Sequence, residues 1–269
     1  MDDRLHTTEL GGPGSDDGGG SRVVFCHGLF GQGRNFTAIG KALAADHRVT
    51  LVDMPDHGQS PWSMRFDYLA AAEQVADLLD ADDPVALVGH SMGGKIAMLA
   101  ALRHPDRVER LVVVDVSPVP YDHATEFERY LGAMRAIDLD SLASRAEADA
   151  ALVEAVPDPT VRGFLLQSLR RESAADGGGW RWYLNLELLQ RDLDAITDWP
   201  GDALAGTPPY DGPVLWIGGG DSRYVHPEYV AAMDRWFPRN RRVTIKGAGH
   251  WVHSEQPEVF IEVLRRFLV

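Results

Sequence analysis

The segment Gly89-His90-Ser91-Met92-Gly93 is the most informative part of this chain. A strand-like apolar run, Val85–Val88, precedes it, and a helix-like run, Gly94–Leu102, follows it. A serine on so tight a turn must adopt strained backbone dihedrals, and glycines on either side remove the Cβ atoms that would clash. Such a turn lifts the serine hydroxyl above a sheet and points the next backbone N–H at developing negative charge. The motif predicts a nucleophile elbow, with a turn whose serine only caps the helix as the alternative.

Short β-branched runs alternate with helical patterns along the rest of the chain. The predicted strands are Val23–Phe25, Val49–Val52, Val85–Val88, Leu111–Val114, Val214–Ile217 and Arg242–Ile245, and the predicted helices are Phe36–Ala44, Phe66–Leu79, Met92–Leu102, Pro227–Trp236 and Pro257–Leu268. This order predicts an α/β fold with a mostly parallel central sheet flanked by helices.

The chain of 269 residues divides into three predicted parts. The alternation stops after the strand that ends at Asp115, and a charged, helical and aromatic stretch follows before strand character returns at Val214. We therefore expect residues 121–199 to form a helical cap inserted into a core made of residues 21–120 and 200–269. Residues 1–20 include a glycine-rich, low-complexity stretch, and we expect a flexible segment there with a short first strand near Arg4–Leu10.

Charge and composition exclude several classes of partner. Lys and Arg number 26 against 40 Asp and Glu, so the formal net charge is −14. This charge repels phosphate backbones and anionic lipid, and we expect neither a nucleic acid nor a membrane as partner. No signal-peptide pattern and no apolar run of spanning length occurs, so we expect a cytoplasmic protein. The single cysteine, Cys26, is expected to be a small buried hydrophobic residue.

A serine hydroxyl is a poor nucleophile at neutral pH and needs a histidine base oriented by an acid. In folds with this elbow the chain order is Ser, acid, His. His250 follows the last predicted strand in a glycine-rich loop and is the predicted base. Asp115 and Asp221 each follow a strand, so both would lie at the carboxyl edge of the sheet. The pattern of residues leaves both carboxylates open as the acid.

The sequence contains further candidate site residues besides the serine, the histidine and the two aspartates. The loop His27–Gly31 follows the first core strand, and the N–H of Leu29 is predicted to be the second oxyanion donor beside that of Met92, a simple glycine turn being the alternative. Phe30, Trp182 and Trp251 are candidates for a substrate pocket, although aromatic residues more often serve packing. His253 stands three residues after His250, but no third metal ligand is evident, and we expect neither metal nor cofactor.

Five motifs, in their order along the chain, resemble those of a known protein family. They are His27–Gly31, Asp53–Pro61, Gly89–Lys95, Val114–Val119 and Gly247–His253. Together they resemble the α/β-hydrolase superfamily, and within it the bacterial esterases of the YbfF type and their animal relatives of the abhydrolase-domain type. The similarity runs from about Val23 to the C-terminus and includes Trp180-Arg181-Trp182 in the predicted cap.

The resemblance implies that Ser91 is the nucleophile, that His250 is the base, and that Leu29 and Met92 are the oxyanion donors. It implies Asp115 as the acid, with Ser222 as a serine that assists the histidine. The chain departs from these relatives at Asp221, which stands at the common acid position of the wider superfamily. We favour Asp115 and keep Asp221 as its rival.

We expect a cofactor-independent serine hydrolase that cleaves small-molecule carboxylic esters or thioesters through an acyl-Ser91 intermediate. One alternative is an acyltransferase that passes the same acyl group to an alcohol. Another is a ligand-binding receptor on this fold with little turnover. Haloalkane dehalogenases and epoxide hydrolases are excluded, because both use a carboxylate nucleophile where this chain has Ser91.

Overall fold

The computed structural model describes residues 4–11, 20–122, 125–173 and 178–269. Most of the glycine-rich stretch, residues 12–19, lies outside these ranges, as do residues 1–3. The predicted flexible segment therefore falls largely on residues that the structure does not describe. Its predicted strand near Arg4–Leu10 has a counterpart at Thr7–Leu10.

The described residues contain nine strands and eleven α-helices. The strands are β1 (Thr7–Leu10), β2 (Arg22–Cys26), β3 (Arg48–Val52), β4 (Val85–His90), β5 (Val108–Val114), β6 (Leu169–Arg171), β7 (Trp180–Trp182), β8 (Val214–Gly219) and β9 (Asn240–Ile245). The helices are α1 (Thr37–Leu43), α2 (Tyr68–Ala76), α3 (Met92–Arg103), α4 (Thr125–Arg135), α5 (Arg145–Leu152), α6 (Pro159–Leu165), α7 (Leu186–Arg191), α8 (Leu193–Thr197), α9 (Val230–Trp236), α10 (Val252–Glu255) and α11 (Pro257–Leu268). None of the helices in these ranges is long and apolar enough to cross a membrane.

Seven strands form one sheet in the order β1-β3-β2-β4-β5-β8-β9. Strand β1 runs antiparallel to β3, and every other neighbouring pair is parallel. Parallel strands are buried on both faces, which is why their sequences are continuous apolar runs rather than alternating ones. The predicted α/β class with a mostly parallel central sheet is confirmed.

The two faces of the sheet are covered by different helices. In β2, Val23 and Phe25 join the apolar cluster that contains residues of α1 and α11, whereas Val24 and Cys26 join the cluster that contains residues of α2 and α3. This alternation follows from the period of a strand, whose successive side chains point to opposite faces. All four side chains are completely buried, so each face of the sheet is part of the core.

The carboxyl ends of the parallel strands lie at one edge of the sheet. The segments that follow β2, β4, β5, β8 and β9 begin there, and they carry His27, Ser91, Asp115, Asp221 and His250 respectively. Ligands of open α/β sheets bind in the crevice outside this edge. The topology thus brings five side chains with acid, base or nucleophilic groups from distant parts of the chain to one edge of the sheet.

The segment between β5 and β8 holds helices α4 to α8 and a two-stranded antiparallel sheet of β6 and β7. The sequence predicts a helical cap here, and the two-stranded sheet is an addition to its helices. The Trp180–Trp182 motif is therefore a strand, and it pairs with Leu169–Arg171. Strands as short as three residues carry too little of the period-two pattern to be recognised in a sequence.

Candidate active site

Ser91 lies on the turn between β4 and α3 with its backbone in the left-handed region, at φ 52°. A Cβ on Gly89 would lie 2.3 Å from the carbonyl oxygen of Gly93, and a Cβ on Gly93 would lie 2.3 Å from that of His27. Only glycine therefore fits at either position. Helix α3 begins at Met92, so the Ser91 hydroxyl stands at the N-terminus of the helix.

His250 bridges two of the predicted site residues. Its Nε2 lies 3.0 Å from Oγ of Ser91, and its Nδ1 lies 2.8 Å from Oδ2 of Asp115. The His250 side chain is 12% exposed, and that of Asp115 is 0% exposed. Beside an ionised carboxylate, a neutral imidazole carries its proton on Nδ1, which leaves Nε2 free to accept the hydroxyl proton. The three side chains thus form one hydrogen-bonded chain.

Asp115 has two further hydrogen-bond donors. The N–H of Gly219 donates to Oδ1 at 3.0 Å, and the hydroxyl of Ser222 donates to Oδ2 at 2.5 Å. Both donors come from the end of β8 and the turn that follows it. A buried carboxylate with its acceptors filled keeps a fixed orientation, so Asp115 is held facing His250.

Asp221, the rival acid, is placed differently. It is exposed in the turn after β8, where its backbone N–H donates to the carbonyl oxygen of Ala248 at 2.9 Å. Among the described residues, no hydrogen bond or ion pair joins its carboxylate to His250. The turn instead presents the neighbouring Ser222 to the hydrogen-bonded chain.

Leu29 and Met92, the two predicted oxyanion donors, lie beside the elbow. Gly28 and Gly31 close a turn through an N–H to carbonyl hydrogen bond of 3.0 Å, and a Cβ on Gly28 would lie 3.0 Å from Cβ of Ser91. Leu29, within this turn, and Met92 line the same cavity as Ser91. In the described part of the chain neither of their N–H groups is donated to a protein acceptor. Both predicted oxyanion donors are therefore available next to the serine.

His90 and Tyr224 contact His250, and the sequence analysis singled out neither. Nε2 of His90 donates to the backbone carbonyl oxygen of His250 at 2.9 Å. Burial, reinforced by His253 and His250, holds the pKa of His90 well below its usual value, so the ring is neutral. The Tyr224 ring packs on the His250 ring with 4.2 Å between centroids. In the sequence, the sign of a functional role for His90 was a titratable side chain directly before the predicted nucleophile.

Lys95 is another residue that sequence reasoning passed over. It is the only charged side chain of α3 apart from the last residue, and it is 2% exposed. Its Nζ donates to the carbonyl oxygens of Thr197 at 2.8 Å and Asp198 at 2.6 Å, and it lies 4.7 Å from the ring centroid of Tyr121. Burial lowers the pKa of Lys95 from 10.5 to about 7. In the sequence, the sign of a special role for Lys95 was a single charged residue within an otherwise apolar helical run.

Two cavities are each lined by one member of the hydrogen-bonded chain. The inner pocket has a volume of about 30 Å³, and Ser91, Tyr121 and Phe127 are among its lining residues. The outer groove has a volume of about 870 Å³, and His250 and Phe164 are among its lining residues. Ser91 and His250 are therefore lining residues of different cavities.

The three predicted pocket aromatics lie in different environments. Trp251 lines the outer groove next to His250. Phe30 is 1% exposed and packs against Phe127, with ring centroids 6.0 Å apart. Trp182 is buried on β7. Phe30 and Trp182 line neither the inner pocket nor the outer groove as the described residues form them.

His253, the possible metal partner of His250, has another role. Its ring is buried 4.6 Å from that of Phe36, measured between centroids, and burial lowers the pKa of His253 to about 3. Within the described ranges, no group of three or more His, Cys, Asp or Glu side chains is placed to hold a metal ion.

Comparison with known proteins places this geometry in a family. The family model of the alpha/beta hydrolase fold matches residues 21–257. The sn-1-specific diacylglycerol lipase ABHD11 of Mus musculus is 40% identical over 254 residues, which cover 91% of this chain and 80% of that protein. Esterase YbfF of Escherichia coli (strain K12) is 35% identical over 250 residues, which cover 92% of this chain and 93% of that protein.

Among solved structures, a marine microorganism esterase superimposes with a TM-score of 0.89 at 30% identity. The superposition covers 98% of this chain and 99% of that one. Because the family model spans most of the chain and relatives of this identity align along nearly all of it, the chain belongs to the α/β-hydrolase fold family.

Proposed function

We propose that this chain hydrolyses small-molecule carboxylic esters or thioesters through an acyl-Ser91 intermediate. The observation that carries the proposal is the hydrogen-bonded chain from Ser91 through His250 to Asp115. Relatives named esterase and diacylglycerol lipase support an ester as the substrate.

In the proposed first step, Oγ of Ser91 attacks the carbonyl carbon while its proton passes to Nε2 of His250. Asp115 retains the hydrogen bond to Nδ1 and stabilises the imidazolium that forms. The negative charge that develops on the carbonyl oxygen accepts hydrogen bonds from the N–H groups of Leu29 and Met92.

In the second step, the tetrahedral intermediate collapses and His250 gives its proton to the departing oxygen or sulfur. Water then enters, loses a proton to His250 and attacks the acyl carbon. His250 passes this proton to Oγ of Ser91 as the acid is released, which restores both side chains. Ser222 supports both steps by keeping the carboxylate of Asp115 in place, and His90 does so by holding the backbone of His250.

We propose that residues 121–199 act as a cap over a core of residues 21–120 and 200–269. Tyr121 and Phe127 of this segment line the inner pocket, and Phe164 lines the outer groove. Lys95 of the core is hydrogen-bonded to Thr197 at the other end of the segment. The cap therefore shapes both spaces that a substrate would occupy.

A fluorophosphonate tests this proposal, because it reacts with an activated serine much faster than with an ordinary hydroxyl group. We expect one adduct per chain, located by mass spectrometry on the peptide that contains Ser91, and loss of nitrophenyl acetate hydrolysis in proportion to labelling. The Ser91→Ala variant is the control and should take up no adduct. An adduct on another residue, or full activity after complete labelling, would overturn the proposal.

Transfer of the acyl group to an alcohol is the second candidate. The outer groove beside His250 offers room for an alcohol acceptor. A probable alcohol acetyltransferase of Saccharomyces cerevisiae is 31% identical over 253 residues. Analysis of the products in the presence of an added alcohol separates the two activities, since a transferase yields mainly the new ester and a hydrolase mainly the free acid. A receptor would bind esters and release neither product.

A further inference from the structure

We propose that a cavity at the amino edge of the sheet binds a small anion of the di- or triphosphate class. The cavity has a volume of about 590 Å³, and small-molecule sites in proteins typically have volumes of about 300–1,000 Å³. Four of its lining residues are arginines: Arg110, Arg239, Arg241 and Arg266. We call this space the arginine cavity. It shares no lining residue with the inner pocket or the outer groove, so this inference does not rest on the proposed function.

The arginine cavity and the candidate active site lie at opposite edges of the sheet. Val214 and Asn240, which begin β8 and β9, line the cavity, as does Arg110 near the start of β5. Asp115 follows the carboxyl end of β5, five residues after Arg110. Since a parallel strand advances about 3.3 Å per residue, roughly 16 Å of backbone separates the two residues. An anion in the arginine cavity therefore does not contact the hydrogen-bonded chain that includes Asp115.

The charges that line the arginine cavity all have the same sign. Because the sequence contains 40 acidic side chains against 26 Lys and Arg, a cavity of this chain would be expected to have more carboxylates than basic groups. This one has four guanidinium groups and, among the described residues, no Asp or Glu. A cleft lined by charges of one sign concentrates ions of the opposite sign. A compact anion fits this arrangement, whereas a long polyanion would extend over the rest of a chain whose formal net charge is −14.

Two of the four guanidinium groups have no carboxylate partner in the described part of the chain. Arg239 donates through Nη1 to the backbone carbonyl oxygen of Asp211 at 2.9 Å. The side chain of Arg241 makes no hydrogen bond or ion pair with any described residue. Arg242, the next residue of β9, does not line the cavity and is paired with Asp234, with 2.8 Å between Nη1 and Oδ1. Successive side chains of a strand point to opposite faces, so the unpaired charge of Arg241 lies on the side of the cavity.

Arg239 and Arg241 are placed to bind the same anion. The backbone of Arg239 continues the ladder of β9, because its carbonyl oxygen accepts the N–H of Val214 at 3.2 Å. Residues two apart in an extended chain point to the same face, with about 7 Å between them. A guanidinium group binds phosphate oxygens through two parallel N–H groups. A chain of two or three phosphates offers such oxygens to both arginines at once, whereas a single phosphate pairs fully with only one.

Arg110 and Arg266 are partly engaged by other groups. Nε of Arg110 lies 3.6 Å from Oε1 of Glu109, and its Nη1 donates to the carbonyl oxygen of Phe267 at 3.2 Å. Nε of Arg266 lies 2.8 Å from Oε1 of Glu262. A guanidinium group has five N–H donors, so both arginines keep donors for a phosphate oxygen. The half-buried ring of Phe267 also lines the cavity and offers an apolar surface to a nucleoside attached to the phosphates.

Isothermal titration calorimetry of the full chain with tripolyphosphate, in about 100 mM KCl, tests this inference. We expect one site with a Kd below about 1 mM, and a Kd for inorganic monophosphate that is at least about ten-fold higher. Arg239→Gln and Arg241→Gln should each raise the Kd for tripolyphosphate about ten-fold, since each removes charge-assisted hydrogen bonds. Arg242→Gln, the matched control on the opposite face of β9, should leave the Kd within about two-fold of the wild type.

Titration with ATP distinguishes the two sources of the phosphates. If ATP binds more tightly than tripolyphosphate, the ligand is a nucleotide whose nucleoside adds contacts such as the one with Phe267. If ATP binds equally or more weakly, the ligand is an inorganic polyphosphate. Both results support an anion of the di- or triphosphate class.

The inference is overturned if neither tripolyphosphate nor ATP binds with a Kd below about 1 mM. It is also overturned if Arg242→Gln weakens binding as much as Arg241→Gln, because the anion then responds to surface charge rather than to the cavity. The arginine variants should unfold at the wild-type urea concentration, which shows that they are folded. Ser91→Ala should bind tripolyphosphate as the wild type does, so a chain that hydrolyses no ester would remove the proposed function and leave this inference in place.

Discussion

Asp115, and not Asp221, lies within hydrogen-bond distance of His250, with 2.8 Å between Oδ2 and Nδ1. Both aspartates follow strands that end at the same edge of the sheet. The difference arises locally, because Asp115 follows β5 with φ 48°, whereas the turn after β8 leaves Asp221 exposed. The Ser222 hydroxyl fills the position beside the carboxylate of Asp115.

The first prediction compares Asp115→Asn with Asp221→Asn. An amide keeps the shape of the carboxylate but removes the charge that stabilises the imidazolium and selects its tautomer. We expect Asp115→Asn to lower kcat by roughly two to four decades. Asp221→Asn, the matched control, should stay within about two-fold of the wild type, because its side chain is exposed and does not contact His250. If Asp221→Asn lost most of its kcat while Asp115→Asn kept nearly all of it, the acid would be Asp221.

The second prediction concerns His90 as a positioning residue. His90→Phe keeps a ring in the site but removes the donor to the carbonyl oxygen of His250. Because a small misplacement of a catalytic group is costly, we expect kcat to fall about ten-fold or more while KM changes little. Steady-state kinetics on nitrophenyl acetate supply both constants. An unchanged kcat would show that the loop holds His250 without this hydrogen bond.

The third prediction follows from the lowered pKa of Lys95, about 7 in the folded chain against 10.5. Between these values the unfolded chain binds the proton and the folded chain does not, so stability rises with pH in this window. Between pH 7 and 9 the wild type should gain about 2 kcal/mol in unfolding free energy relative to Lys95→Met. Urea unfolding at several pH values measures this difference. Lys41→Met, which removes an exposed lysine of α1, is the control and should show no such difference.

The fourth prediction concerns acid stability. Burial lowers the pKa of His27 and of His253 to about 3, whereas an unfolded histidine titrates near 6.5. Below 6.5 the unfolded chain binds protons that the folded chain does not, so stability is lost as the pH falls toward 3. His253→Leu removes one such group, and its unfolding free energy should decline less steeply, by about 1.4 kcal/mol per pH unit. If the unfolding free energies of the wild type and of His253→Leu fell equally steeply with pH, His253 would not be a source of the acid sensitivity.

The sequence predicted the core strands well for a physical reason. Strands buried on both faces of a parallel sheet are continuous apolar runs, and the sequence of β4, Val85–His90, is one of these. The residue at which a helix begins depends on the single side chain that caps it. The helix predicted from Phe66 begins at Tyr68, because the Asp67 carboxylate accepts the N–H groups of the first turn. The sheet of β6 and β7 could not be predicted, since Leu169–Arg171 is short and mostly charged.

Within the site, sequence could identify residues that follow strand ends but not the directions of their side chains. Ser91 and His250 each stand after a strand in a glycine-rich setting. The choice between Asp115 and Asp221 depended on a turn geometry that the sequence does not show. The burial of Lys95 and its contact with the cap depend on tertiary packing, as does the size of the inner pocket.

The kcat/KM of Ser91→Ala on nitrophenyl acetate shows whether Ser91 is the attacking nucleophile. Alanine fits the same turn, so the variant should unfold at the same urea concentration as the wild type. We predict that kcat/KM falls by about a thousand-fold or more. If a folded Ser91→Ala variant kept most of the wild-type kcat/KM, a group other than Ser91 would be the nucleophile.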